Sequence, residues 1–185
     1  HRDLHSFPTR RSSDLAFIPH SLPLTVTGMG ILWFGWFGFN AGSALAANDI
    51  AANAFVTTHF AAAAGTLTWL VVEALSTGKA TTLGAVSGAV AGLGAITPAS
   101  GYVTPMNGML IGALSGVICY GGVLLKNRFG YDDSLDVVGI HGVGGTWGLV
   151  AAGLFASVNG ATGMFYGNAG QAATQLLAVA ATWAY

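Results

Sequence analysis

The sequence predicts an all-α protein, a polytopic bundle of transmembrane helices. Three observations carry that prediction: scarce charge, abundant glycine and a row of long apolar segments. Five charged residues fall in the first fifteen positions (Arg2, Asp3, Arg10, Arg11 and Asp14), and only eight are spread over the remaining 170. A soluble domain carries about 25% charged residues, so a chain this poor in charge has no hydrated surface to offer water. Glycine makes up 28 of 185 residues, about twice the usual ~7%. Small residues in that number suit helices packed closely in lipid. Cys119, the one cysteine, leaves no disulfide framework within the chain and fits no metal-ligand spacing. A net charge of −1 gives no reason to expect a nucleic-acid partner.

Residues 1–15 differ from the rest and are set apart. They read either as a basic arm on the cytoplasmic side or as a non-native segment, and the second reading is preferred. Residues 4–15 (LHSFPTRRSSDL) are similar to the translation of a common sequencing-library adapter. No apolar core follows the arginines, so a signal peptide is excluded. The segment is expected to be disordered. The missing start methionine and the stop in mid-pattern at Tyr185 are read as cut ends.

A membrane-spanning helix needs about 20 mostly apolar residues. The chain from residue 16 onward supplies candidate spans at about 24–47, 50–75, 83–97, 106–125 and 137–158, and 171–185 opens a sixth that is too short to cross. The loops test this division independently, because successive loops must fall on alternate sides. Lys79, Lys126 and Arg128 all fall in even-numbered loops, while the odd-numbered loops hold no base. The positive-inside rule makes the basic side cytoplasmic. Within the spans, Gly84, Gly88 and Gly92, and again Gly108, Gly112 and Gly116, recur every fourth residue. Each set forms one helical face along which another backbone can approach closely.

Few side chains can carry chemistry. In WFGWFGFNAGS (33–43), a helix would put Trp36, Phe39 and Ser43 at i, i+3 and i+7 on one face. That face combines a ring system attractive to a cation, at about 2 kcal/mol when desolvated, an aromatic plug, and a hydroxyl that accepts from an N–H donor. The same residues could instead form an aromatic belt at the membrane interface. His141, in DVVGIHGVGG (136–145), is an ionisable group within a span, which is by default a functional candidate. The alternative is a histidine satisfied by a bond to a neighbouring helix. It lies five residues beyond Asp136, and hydropathy alone would make it shallow. His59 reads as a packing or interfacial residue, Asp49 and Asp136 as helix caps, and Asp132 and Asp133 as solvated loop residues. No catalytic triad or paired-histidine spacing occurs, so no enzyme and no cofactor are expected.

Three blocks carry a family resemblance: GWFGFNAGSALAANDIAANAFVTTH (35–59), SGAVAGLGAITPASGYV (87–103) and DDSLDVVGIHGVGGTWG (132–148). In order and spacing they resemble the ammonium transporter family, Amt/Mep, with the Rh proteins as distant relatives. The resemblance implies an eleven-helix subunit made of two inverted five-helix repeats plus one helix, assembled as a homotrimer in the plasma membrane, for a bacterium the inner membrane. This chain would be roughly the second repeat. Trp36 and Ser43 then match the outer ammonium-recruitment site, Phe39 one of two stacked gate phenylalanines, and His141 the second of twin pore histidines, near mid-membrane. The other gate phenylalanine, a second recruitment aromatic, the partner histidine, a conserved aspartate and the cytoplasmic tail have no counterpart here, so the segment alone is expected to be inert. The implied activity is passage of ammonium or ammonia, with PII-type regulatory proteins docking on the cytoplasmic face. An ammonium sensor and a Rh-type gas channel are the alternatives. A receptor-like domain downstream would mark the first; the 35–43 block, with its Trp-Phe pair and Ser43, argues against the second.

Overall fold

The computed structural model describes residues 20–185, and among them every regular element is helical. The elements are α1 (Leu22–Asn40), α2 (Asp49–Thr77), α3 (Thr82–Ile96), α4 (Pro105–Phe129), α5 (Val143–Phe155) and α6 (Ala169–Ala184). A π-helical turn, Val138–Gly142, runs directly into α5. The expectation for residues 1–15 lies outside the described residues.

Four stretches are long and apolar enough to cross a membrane: Leu22–Ala44, Asp49–Thr77, Pro105–Lys126 and Val138–Phe155. Helix α3 is apolar but has 15 residues, about 23 Å at 1.5 Å per residue. It is sheltered instead: Leu93, Ala95 and Ile96 have no exposed surface. The large side chains that do face outward are apolar, among them Ile31, Phe34, Leu67, Leu75 and Leu124. Such an exterior suits hydrocarbon rather than water.

Glycine determines how near the helices come. A Cβ on Gly88 would lie 2.6 Å from the Cβ of Trp69, and Cβ atoms on Gly92 and Gly112 would collide with the backbone of Ala61. Both strips foreseen from the four-residue repeat therefore face α2, which is held between α3 and α4. Buried alanines fill the remaining space along α2 and α3, chiefly Ala61, Ala62, Ala89, Ala91 and Ala95.

The loops sort to two ends. At one end the Asn53 amide donates to the carbonyls of Ser100 and Val103, the Asn159 amide to that of Gly101, and the Ser157 N–H to that of Tyr102. These bonds tie the start of α2 to the α3–α4 and α5–α6 loops, the base-free side. At the other end the Glu73 carboxylate accepts from the N–H (3.0 Å) and hydroxyl (2.8 Å) of Thr81, closing the short α2–α3 turn beside Lys79.

Three boundaries and caps differ from expectation. Helix α1 stops at Asn40 rather than running to residue 47. A 3₁₀ turn follows at Gly42–Ala44, and Leu45 takes a left-handed conformation at φ 53°. Asn48, not Asp49, caps α2, its side chain accepting from the Ala51 N–H. Asp133, not Asp136, caps the fifth span, accepting from the N–H groups of Val137 and Val138 at 2.8 Å each. Asp136 has φ 56° and pairs with Lys126. The short turn after Asp133 brings that carboxylate back over the helix start, where free N–H donors await an acceptor.

Candidate substrate clefts

The stretch 33–43 ends a helix, and that ending shapes the first cleft. Beyond Asn40 the chain tightens, and the Ser43 hydroxyl donates to the carbonyl of Phe39 at 2.6 Å. Ser43 therefore stands on the turn after α1 rather than on the helical face with Trp36. It still meets Phe39: both line a cleft of about 300 Å³ with Asn40, Thr97, Ser100 and Tyr102. Because its single proton is spent on Phe39, Ser43 faces any occupant with lone pairs, which favours N–H donors.

Trp36 is not part of that lining. Its ring lies 5.3 Å from the Phe39 ring, tilted by 41°, and it packs against the buried cluster of Met29, Ala62, Ala89 and Leu93. Its indole N–H donates to the Thr97 hydroxyl at 2.9 Å. Phe39 itself is 59% exposed, free of the packing that would immobilise a core ring. His59 is exposed among the rings of Trp33, Phe37 and Phe60.

His141 belongs to a second, larger cleft. The π-helical turn that carries it is laid against α4 where Gly139 meets Gly122 and Val123. The cavity, about 530 Å³, is lined by His141, Gly94, Thr97, Pro98, Thr146, Leu149 and Trp183 among others. Apart from the histidine its polar lining consists of threonine hydroxyls and the Trp183 indole, whose N–H is bonded to Thr146 at 2.8 Å. Neither imidazole nitrogen has a hydrogen-bond partner among the described residues, which speaks against the helix-to-helix bond considered above. Gly144 packs at the level of Ala91 and Gly148 at that of Ala95, so α3 and α5 run in step. One turn back along α5, His141 is level with about residue 88, near the middle of α3.

Thr97, which the sequence reading passed over, lines both clefts. Its hydroxyl accepts from Trp36 and donates to the Leu93 carbonyl at 2.8 Å. The signal was its position: Thr97-Pro98 ends the most glycine-rich helix, where a chain that closes a helix can also face a cavity.

An apolar helical bundle with two clefts that share Thr97 in their linings, one with an aromatic and a hydroxyl and the other with an imidazole unpaired among the described residues, has the features of a membrane transport protein. The model of the Ammonium Transporter Family matches residues 6–185. The chain belongs to that family. It is similar to the ammonium transporter of Bacillus subtilis, with 52% identity over 95% of this chain and 45% of the relative. Amt1 of Archaeoglobus fulgidus is 50% identical over 90% of this chain and 43% of its own. Among solved structures, Mep2 of Saccharomyces cerevisiae superimposes with a TM-score of 0.85 at 39% identity, covering 90% of this chain and 42% of that one. The chain thus spans less than half the length of these curated relatives.

Proposed function

We propose that this chain forms part of an ammonium transporter of the cell membrane, and that its two clefts are successive stations of one path. The observation that carries this reading is that Thr97 lines both clefts, one holding Phe39 and Ser43 and the other His141. Family membership supplies the substrate class, and the geometry supports a division of labour.

Ammonium is recruited on the base-free side, where the Trp36 ring attracts a cation and the Ser43 oxygen accepts one of its protons. Moving the bare cation onward into an apolar cavity would cost far more than one indole and one hydroxyl return. Release of one proton from the ammonium nitrogen to bulk water at the cleft mouth, leaving neutral ammonia, removes that cost. Neutral ammonia passes Phe39, which acts as the gate, and is then met by His141, whose imidazole both donates and accepts without carrying charge. Ammonia needs both kinds of partner, so it exchanges hydrogen bonds rather than losing them.

The active unit extends beyond this chain. With His141 exposed, we propose that a second repeat-like half completes the pore, that the chain alone is inert, and that the assembled subunits form a homotrimer open to PII-type regulators on the side of Lys79 and Lys126. In a complete transporter carrying this segment, Trp36→Ala should raise the KM for methylammonium about tenfold or more. His141→Ala should abolish uptake or admit other cations. Unchanged uptake in both variants would remove the proposal.

A further inference from the structure

We propose that Asn40 supplies the second acceptor of the Ser43 cleft: its side-chain carbonyl takes one N–H of the ammonium ion while the Ser43 oxygen takes another. This rests on the reading of Ser43 given above.

Asn40 closes α1, directly after Phe39. It is only 7% exposed, yet it lines the cleft of about 300 Å³ together with Phe39 and Ser43. Its amide has two ends of opposite character, a donor and an acceptor. The Nδ2 end donates to the Thr58 hydroxyl at 2.9 Å, and Thr58 has no exposed surface. The amide is planar, so anchoring its nitrogen on a buried partner turns Oδ1 the other way. That oxygen has no donor among the described residues. It is not sealed in either, since the enclosed side-chain atoms that lack a partner are Trp33 Nε1 and Ser157 Oγ. An unpaired, accessible oxygen on a cleft-lining residue is a free acceptor for whatever enters.

Ser43 has the same polarity. Its hydroxyl proton goes to the Phe39 carbonyl at 2.6 Å, and lone pairs are what it offers an occupant. The end of α1 thus contributes two oxygen acceptors, three residues apart, to one cleft. An ion with four N–H donors exchanges two water partners for these two, which offsets part of its desolvation. Thr58 makes position 40 informative, because a hydroxyl can accept from an amide or donate to a carboxylate. Aspartate therefore keeps both the contact with Thr58 and an oxygen at the cleft, whereas leucine removes both.

The test uses a complete transporter carrying this segment, with methylammonium uptake at neutral pH measured as KM and kcat separately. Asn40→Leu should raise KM about tenfold or more, the range of one lost hydrogen bond to a charged group. Asn40→Asp places an ionised oxygen beside the cation and should bring KM below the wild-type value, with a lower kcat because release is slowed. A purely structural role for the bond to Thr58 would not produce opposite shifts. A wild-type KM in Asn40→Leu, or a KM raised equally in both variants, would overturn the assignment; should Asn40→Leu fail to fold, the direction of the shift in Asn40→Asp decides alone. Ser43→Ala and His141→Ala measured alongside keep the two readings apart. If they are impaired and the Asn40 variants keep the wild-type KM, only the role of Asn40 is lost.

Discussion

Gly112 lies at the closest approach of two helices, and the cost of one added methyl group there follows from the geometry. A Cβ at this position would lie 2.6 Å from the Ala61 carbonyl carbon and overlap the Cα and oxygen of the same residue. All three are backbone atoms of α2, so no side-chain rotation relieves the clash. Restoring ordinary contact with the nearest of them, about 3.5 Å, requires α4 to withdraw by about 1.5 Å, and a gap of that size forfeits roughly half or more of the dispersion attraction along the seam. Ile111 and Ser115, both fully buried in α4, lose packing in the same movement. Adding the usual penalty of overpacking, Gly112→Ala should destabilise the fold by about 2–4 kcal/mol. Gly121 is the internal control. It lies in the same helix with nothing within 4 Å of its built Cβ, so Gly121→Ala should be neutral or gain about 0.5–1 kcal/mol. Unfolding of the complete transporter in detergent by increasing sodium dodecyl sulfate, followed by circular dichroism, reads both. Equal midpoints for the two variants would refute the reasoning that backbone contact at Ala61 sets the α2–α4 spacing.

Other changes have smaller, local outcomes. Thr57→Val removes a buried hydroxyl that lies 2.6 Å from the Ser100 carbonyl; it should cost about 1 kcal/mol, with faster hydrogen exchange confined to the α3–α4 loop. Asp133→Ala strips the cap from the Val137 and Val138 N–H groups. A loss of about 1–2 kcal/mol is expected, with faster exchange across residues 137–141 and little change in α5.

Much of the fold was legible because hydropathy and small-residue spacing are global signals. Helices long and apolar enough to cross a membrane, both glycine strips and the sorting of basic residues to one end could be read from the sequence. What escaped was local. The seven residues after Asn40 are as apolar as the helix before them, so composition could not reveal that the Ser43 hydroxyl bonds the Phe39 carbonyl and turns the chain. Asp133 and Asp136 are indistinguishable to a pattern, and only the path of the backbone decides which carboxylate reaches the free N–H groups. Glu73 leaves no mark on the pattern because one acid in a long span hardly changes its hydropathy, yet Thr81 gives it both an N–H and a hydroxyl partner. Of the residues that line the two clefts, Phe39, Ser43 and His141 stand out in the sequence, whereas Trp36 lines neither and Thr97 does not stand out because its partner lies 61 residues away.

The widened turn at Val138–Gly142 has a consequence for how this helix can change. An α-helix advances about 100° per residue, so one residue more or fewer in that turn shifts the phase of everything before it relative to everything after. Gly139 is seated on α4, Gly144 lies between Cys119 of α4 and Ala91 of α3, and Gly148 meets α3; the bulge lets a single continuous helix satisfy both neighbours. The azimuth of the imidazole is thereby set by an irregularity of the main chain. Loss of one residue from this segment would leave composition and hydropathy almost untouched and still swing His141 by about a quarter-turn out of its cavity.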